Sequence, residues 1–207
     1  MGLTLWGRKN TAPTTLAEVL GEAPLPCFPA LVLEVMTDLR NPDVAARNIG
    51  RKLMNDPGLS VRVLRMANSS ALGAKQKIDD VTHAVVYLGR RSVESLVLSV
   101  AVKDALPETK TPGFDARRFW HTAARRAAVA QSLAETLHPA TATRSFTAAL
   151  LQDMAVPLLA HRRADDYGRV LRHWHNTGGD LATIESREFG WNHADIGEWL
   201  CTAWDIP

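Results

Sequence analysis

The amino-acid sequence predicts an all-α protein, and three observations carry this prediction. Apolar residues recur three or four positions apart along most of the chain, which is the period of a helix rather than a strand. Many segments with this period begin at Asp or Asn, often followed by Pro, and several end at Gly, as helices do. With 207 residues, of which 46% are apolar and 22% charged, the chain is large enough for one large domain or two helical lobes.

The first half of the chain contains four predicted helices after residue 40. Asn41 is expected to cap the first of them, with Pro42 at its first helical position. Asp56 and Pro57 are expected to begin the second in the same way. The third covers about residues 81–88 and should stop at Gly89, and the fourth, about residues 90–102, is apolar nearly all round and is predicted to lie at the centre of the fold.

The second half follows a turn-rich break at about residues 106–115 and contains five further predicted helices. Asp115 is expected to cap the longest, over residues 116–138, whose inward stripe is rich in alanine. The segment 148–161, "AALLQDMAVPLLAH", is predicted to continue as one buried helix to Pro157 or slightly beyond. Shorter amphipathic helices follow over residues 164–177, 181–189 and 193–204. Gly178 and Gly190 are expected to stop the first two, and Asn192 is expected to cap the third.

Charge and composition narrow the classes of function. A net charge of +2 is too small to indicate nucleic acid or an anionic membrane as the partner. No apolar run approaches the ~20 residues that cross a bilayer, and residues 1–10 lack the apolar region of a signal peptide. Cys27 and Cys201 are expected to be reduced, buried thiols. We therefore expect a cytoplasmic protein with no membrane and no nucleic-acid partner.

Several motifs resemble one known family. They are Leu25-Pro26, the Asp-Pro-x-Leu step at 56–59, Ala-Asn-Ser at 67–69 and Leu88-Gly89. The second half adds "FWHTAARRAAVA", "AALLQDMAV" and "FGWNHADIGEWLCTAWDIP". In this order the motifs resemble the HDOD domain, over about residues 24–207. The predicted organisation is an N-terminal extension at 1–22 and an HDOD domain at 23–207, with lobes at about 23–106 and 112–207.

The resemblance implies a multi-helical fold related to the HD phosphohydrolases. Those enzymes bind divalent metal through spaced histidines and an adjacent His-Asp pair. HDOD domains are regarded as relatives that have lost this chemistry and serve as output modules of bacterial signalling proteins. The implied fold has an N-terminal helical lobe and an HD-related C-terminal lobe.

The residues that correspond to the metal ligands argue against a working metal site. The doublet position reads Gln152-Asp153, and a neutral amide is a poor replacement for imidazole on a transition metal. The family's histidine two positions after Phe-Trp is Thr122 here. His121 stands one residue earlier, which turns a helical side chain by ~100°. Asp153, His193 and His121 are therefore only vestigial candidates, and we predict no catalytic residue, no bound metal and no cofactor.

Ordinary structural roles are expected for the two strongest of these candidates. A carboxylate in an apolar segment must be satisfied, so Asp153 is predicted to pair with Arg125 or Arg126, or to accept backbone N–H bonds. His193 is expected in the first turn of a helix whose Asn192 and Asp195 form a capping box.

The predicted function is a non-catalytic signalling module that acts by binding other proteins, of unknown identity, and that forms a homodimer if apolar surface is exposed. Trp174, Trp191 or Trp199 are candidate anchors for such contacts. Two alternatives stay open: a residual metal-dependent phosphohydrolase, and a nucleotide or cyclic dinucleotide sensor. The sensor would use the arginine pairs at 117–118, 125–126 and 162–163, which are otherwise expected to form solvated helix faces.

Overall fold

The computed structural model describes residues 15–22 and 24–206, and this part of the chain is helical without any strand, as predicted. Most of the predicted N-terminal extension, including residues 1–10, lies outside it. The α-helices in chain order are α1 (Leu16–Leu20), α2 (Ala30–Arg40), α3 (Ala46–Leu53), α4 (Pro57–Ala67), α5 (Val81–Leu88), α6 (Arg90–Ala105), α7 (Ala116–Leu137), α8 (Ala142–Leu151), α9 (Ala155–Arg162), α10 (Ala164–Thr177), α11 (Leu181–Phe189) and α12 (His193–Ala203). Short 3-10 turns cover Ser70–Leu72 and Pro139–Thr141.

The described residues form two compact units. The N-terminal unit contains residues 26–106 and 124–151, and the C-terminal unit contains residues 15–22, 24–25, 107–123 and 152–206. Helix α7 contributes its first turns to the C-terminal unit and the rest to the N-terminal unit. None of the helices in the described ranges is long and apolar enough to cross a membrane.

This partition differs from the lobes expected at about 23–106 and 112–207. Helix α8 packs on α6 within the N-terminal unit. There the hydroxyl oxygens of Ser95 and Thr147 lie 2.5 Å apart, and Ser95 is buried. Packing between helices distant in sequence therefore assigns residues 124–151 to the unit that precedes them. The predicted domain limits themselves stay a prediction.

The N-terminal unit is built around α6, which packs against α2, α4, α5 and α8. Its most buried residues come from several helices and include Val35, Ile49, Leu53, Val63, Val93 and Val97. The expected start of α4 is confirmed, because the Asp56 carboxylate accepts the backbone N–H of Leu59 at 3.0 Å and Pro57 stands at the first helical position. The expected stop of α5 at Gly89 is also confirmed, with a backbone φ of 74°.

The prediction that Asn41 caps a helix beginning at Pro42 is wrong. Asn41 follows the last residue of α2, and its side-chain oxygen accepts the backbone N–H of Asp43 at 3.0 Å. This local bond stabilises a turn instead of a helix. Helix α3 begins at Ala46, four residues after Pro42.

Asn68 explains why an Ala-Asn-Ser step stands at the end of α4. Its side-chain oxygen accepts the N–H of Ile78 at 2.8 Å, and its amide donates to the carbonyls of Ile78 at 2.6 Å and Leu64 at 2.8 Å. The Asn68 side chain thus bonds to both backbone groups of a residue ten positions later in the chain. Ile78, which it positions, is buried.

The C-terminal unit is built around α9, which packs against α10 and α12. Every residue from Ala155 to Ala160 is buried. The expected caps of this half are confirmed: Asp115 accepts the N–H of Arg118 at 2.9 Å, and Gly178 and Gly190 follow α10 and α11. Neither cysteine is fully buried, contrary to the sequence prediction, since Cys27 is exposed and Cys201 is half-buried.

Segment 148–161 is not the single helix predicted from its apolar residues. Helix α8 ends at Leu151, residues 152–154 form a turn, and α9 begins at Ala155. The polar pair Gln152-Asp153 therefore stands in the turn that connects α8 to α9.

Candidate functional site

Asp153 lies in the turn at residues 152–154, which belongs to the C-terminal unit. The backbone carbonyl of Asp153 accepts the N–H of Val156 at 2.9 Å, which fixes the start of α9. Gln152 is exposed, and its side-chain amide donates to the Asp153 carboxylate at 3.2 Å. Gln152, which stands where the resemblance implies the histidine of the His-Asp pair, thus contacts its neighbouring carboxylate.

His193 is held at the first position of α12 by the predicted capping box. The side-chain oxygen of Asn192 accepts the N–H groups of Ala194 at 2.8 Å and Asp195 at 3.2 Å. In return, the Asp195 carboxylate accepts the Asn192 N–H at 2.9 Å. This reciprocal arrangement orients the helix terminus, and the His193 side chain is consequently directed inward, where it is 11% exposed.

Glu185 lies at the centre of the site, although α11 is otherwise at least partly exposed. Its side chain is 0% exposed. One oxygen, Oε2, accepts the backbone N–H of His193 at 2.8 Å and lies 2.5 Å from Nδ1 of the same residue. The other oxygen, Oε1, accepts the hydroxyl proton of Tyr167, which is fully buried. These bonds satisfy a buried carboxylate that would otherwise be very costly.

The fourth member of the site is Asp153, whose Oδ1 lies 3.4 Å from Nε2 of His193. The separation is that of an ion pair rather than of a short hydrogen bond. We call Asp153, Tyr167, Glu185 and His193 the His193 cluster. It brings two of the three vestigial candidates together, and it places the imidazole between two carboxylates.

The electrostatics of the cluster favour a charged imidazole. Burial lowers the pKa of His193, but its close contacts with the Asp153 and Glu185 carboxylates and their negative charges raise it more, to about 9. His193 is therefore an imidazolium at neutral pH. Burial and the adjacent charge of Glu185 also raise the pKa of Tyr167 well above its usual value, so its hydroxyl stays a donor.

The donor set does not fit the divalent metal of the HD phosphohydrolases. Such a site requires several nitrogen and oxygen ligands converging on one point. In the described ranges, no three side chains of His, Cys, Asp or Glu are grouped so that they could hold a metal ion. Both ring nitrogens of His193 already face carboxylates, and a protonated imidazole has no lone pair to offer.

His121, the third vestigial candidate, is exposed on α7. Arg126 donates from Nε to the carbonyl of Ala149 at 2.9 Å. The predicted pairing of Asp153 with Arg125 or Arg126 stays a prediction.

The arginine pairs are not all solvated faces, in contrast to the sequence prediction. Arg163 donates from Nε to the Asp166 carboxylate at 3.0 Å. Its guanidinium lies 5.3 Å from the ring centre of Phe189 and 5.5 Å from that of Trp191, and the two rings stack 4.8 Å apart. Trp191 is buried, so it cannot serve as the exposed anchor that was one of the predicted options.

Sequence reasoning missed Glu185 and Tyr167. Glu185 lies eight residues before His193 and 18 after Tyr167, so no local pattern connects the three. One signal was available in the sequence. Glu185 follows Ile184 on a short amphipathic helix with few apolar residues. An acidic side chain on the inner face of such a helix requires a buried partner.

The chain belongs to the HDOD domain family, because the family model matches residues 25–207. Among solved structures, it is similar to an HDOD domain protein with unknown function from Geobacter sulfurreducens, with a TM-score of 0.75 and 26% identity. That match covers 89% of this chain and 62% of the other. A protein of Shewanella amazonensis SB2B, described as a candidate phosphohydrolase, has a TM-score of 0.71 and 30% identity, covering 88% and 64%.

Among curated proteins, an uncharacterized protein of Treponema pallidum (strain Nichols) is 24% identical over 201 residues. That match covers 96% of this chain and 39% of the relative. The chain thus spans about two fifths of the curated relative and less than two thirds of both solved structures.

Proposed function

We propose that this HDOD domain is a non-catalytic signalling module that acts by binding other proteins, and that the His193 cluster is a structural core rather than a reaction centre. The observation that carries the proposal is the position of the His193 ring, whose two nitrogens face Glu185 and Asp153. A buried cation is thereby supplied by the protein itself.

The charge of the cluster supports this role. The imidazolium lies between two carboxylates, where a metal-binding relative needs a metal cation to balance its acidic ligands. For a metal to use a ring nitrogen, His193 would first have to lose its proton. With a pKa of about 9, that loss costs about 3 kcal/mol at pH 7. Metal binding at this site is therefore opposed by protonation as well as by the ligand count.

The proposal is tested by metal analysis of the purified protein and by a phosphodiester assay. The assay uses bis(p-nitrophenyl) phosphate with excess Mn²⁺, and compares the wild type with Asp153→Ala and with the exposed-site control Asp165→Ala. We expect less than stoichiometric metal and the same background rate in all three proteins. Stoichiometric metal together with turnover that Asp153→Ala abolishes and Asp165→Ala retains would overturn the proposal in favour of a residual phosphohydrolase.

A reciprocal variant sharpens the test. Gln152→His restores the doublet that the HD phosphohydrolases carry, yet His193 would still be protonated and held by Glu185. We expect Gln152→His alone to restore neither metal binding nor turnover. The cytoplasmic location, the homodimer and the identity of the signalling partner stay predictions.

A further inference from the structure

We propose that a groove between α3 and α5 in the N-terminal unit binds an acidic segment of a partner protein. The groove has a volume of about 510 Å³ and is lined by Ala45, Arg47, Asn48, Arg51, Thr82 and Val86. This inference rests on the proposed function, because it names the class of partner that an interaction module would bind.

The shape of the groove follows from a close approach of its two helices. A Cβ atom at Gly50 would lie 2.5 Å from the hydroxyl oxygen of Thr82 and 2.8 Å from its Cα. Only glycine allows α3 and α5 to cross at this distance. Thr82 thereby lies against α3 and lines the groove, and Val86, one turn later on α5, is 63% exposed.

Two guanidinium groups give the groove its charge. Arg47 and Arg51 are four residues apart on α3, so their side chains lie on the same face of the helix, one turn apart. Both are exposed, and neither has an ion pair or hydrogen bond with the described part of the chain. Other cations of the same unit do have carboxylate partners: Arg40 with Glu94, Lys52 with Asp38 and Arg62 with Asp104.

The charge and polarity of the residues that line the groove indicate the kind of partner that would bind there. It contains two cations, an amide, a hydroxyl and two apolar side chains, and no acidic residue. Two carboxylates one helical turn apart would each reach a guanidinium, and an apolar side chain between them would cover Val86. Nucleic acid is less well matched, because two cations neutralise few phosphates and the chain has a net charge of only +2.

The test uses a panel of fluorescein-labelled helical peptides about 14 residues long, or four helical turns. Each has two glutamates four positions apart with Leu, Ile, Phe or Trp between them. Matched peptides carry Gln or Lys at the two glutamate positions. Anisotropy is measured with the wild type, with Arg47→Glu/Arg51→Glu, and with the control Arg117→Glu/Arg118→Glu, which makes the same charge change at exposed positions of α7.

We expect at least one acidic peptide to bind the wild type with a Kd below about 100 μM. The Arg47→Glu/Arg51→Glu protein should bind this acidic peptide about tenfold or more weakly than the wild type does, and it should bind the matched Lys peptide instead. The control variant should bind the acidic peptide as the wild type does. All three proteins should give the same circular dichroism spectrum, since the substituted side chains are exposed.

Three outcomes would overturn the assignment of the groove. They are the absence of binding by every acidic peptide, equal binding by the two double variants, and a single-stranded oligonucleotide that binds more tightly than the peptides and is lost with Arg47→Glu/Arg51→Glu. None of them alters the metal and phosphodiester results, which decide whether the domain is non-catalytic. The two failures are therefore distinguishable.

Discussion

His193 and Glu185 are joined at two points, because one oxygen of the Glu185 carboxylate accepts the backbone N–H of His193 at 2.8 Å and lies 2.5 Å from Nδ1 of its ring. The contact links the first residue of α12 to the middle of α11. It therefore fixes both the start of a helix and the orientation of an imidazole.

Replacement of Glu185 should be strongly destabilising. Glu185→Ala leaves the Tyr167 hydroxyl and the His193 N–H without acceptors and leaves a buried imidazolium with one carboxylate fewer. We expect a loss of about 3–5 kcal/mol in the free energy of unfolding, measured by urea denaturation. Glu185→Gln, which keeps the shape and an acceptor oxygen, should cost less. Glu188→Ala, at an exposed position of the same helix, should change stability by under about 0.5 kcal/mol. Equal effects at 185 and 188 would contradict the buried role of Glu185.

Stability should fall as the pH rises above neutrality. The pKa of His193 is raised from 6.5 to about 9 in the folded protein. The charged imidazole therefore contributes fully below the unfolded pKa, and its contribution is lost as the pH rises through about 9. Between about pH 6.5 and pH 8.5 we expect a loss of about 2 kcal/mol, measured by urea denaturation at each pH.

The histidine itself is tested by substitution. His193→Gln should remove most of this pH dependence, whereas His173→Gln, at an exposed position, should retain it. A wild-type stability that is constant or rises over the same range would show that His193 is not charged in the folded state.

Asn68 should be required for the connection between α4 and α5. Asn68→Ala removes an acceptor and two donor bonds that lie between 2.6 and 2.8 Å. At about 1 kcal/mol for each bond, the expected loss is about 2–3 kcal/mol in urea denaturation. Asn68→Asp keeps only the acceptor and places a carboxylate beside two carbonyls, so it should be no more stable than Asn68→Ala. Asn55→Ala, at an exposed position, serves as the control, and a comparable loss there would refute a specific role for Asn68.

Gly50→Ala should destabilise the crossing of α3 and α5. The added Cβ would overlap with the backbone of Thr82, which cannot rotate away as a side chain could. We expect a loss of about 1–3 kcal/mol, although alanine is the better helix former by about 1 kcal/mol. Gly197→Ala is the matched control at a buried position of α12, since its Cβ would meet nothing closer than the carbonyl of Gln152 at 3.9 Å. It should be neutral or stabilising, and a Gly50→Ala protein as stable as Gly197→Ala would contradict the close approach.

Local signals predicted much of the helical framework. Asp56 with Pro57, Asp115 and Asn192 each begin a helix where expected, because a capping side chain bonds to an N–H within three residues. Asn41 carries the same kind of signal but stabilises a turn. A local bond of this type is compatible with both structures, and the following residues decide between them.

The candidate site could be predicted only in part, because its partners are distant in sequence. The sequence alone gives Gln152 at the position where the resemblance implies a histidine, and it also gives the capping box around His193. The break at residues 152–154 is not visible in the sequence, since apolar residues continue on both sides. Glu185 could not be connected to Tyr167 and His193 either, because that contact depends on how α10, α11 and α12 pack.

The central claim is that His193 is a structural imidazolium held by Glu185 and Asp153. The most direct measurement is a long-range ¹H–¹⁵N correlation spectrum of the histidine rings at pH 7.5, before and after addition of excess Mn²⁺ or Zn²⁺, with His193→Gln used to assign the signals. We predict that both ring nitrogens of His193 are protonated and that neither signal moves or disappears when metal is added. A neutral His193 ring, or a ring nitrogen whose signal shifts or broadens at stoichiometric metal, would contradict the account.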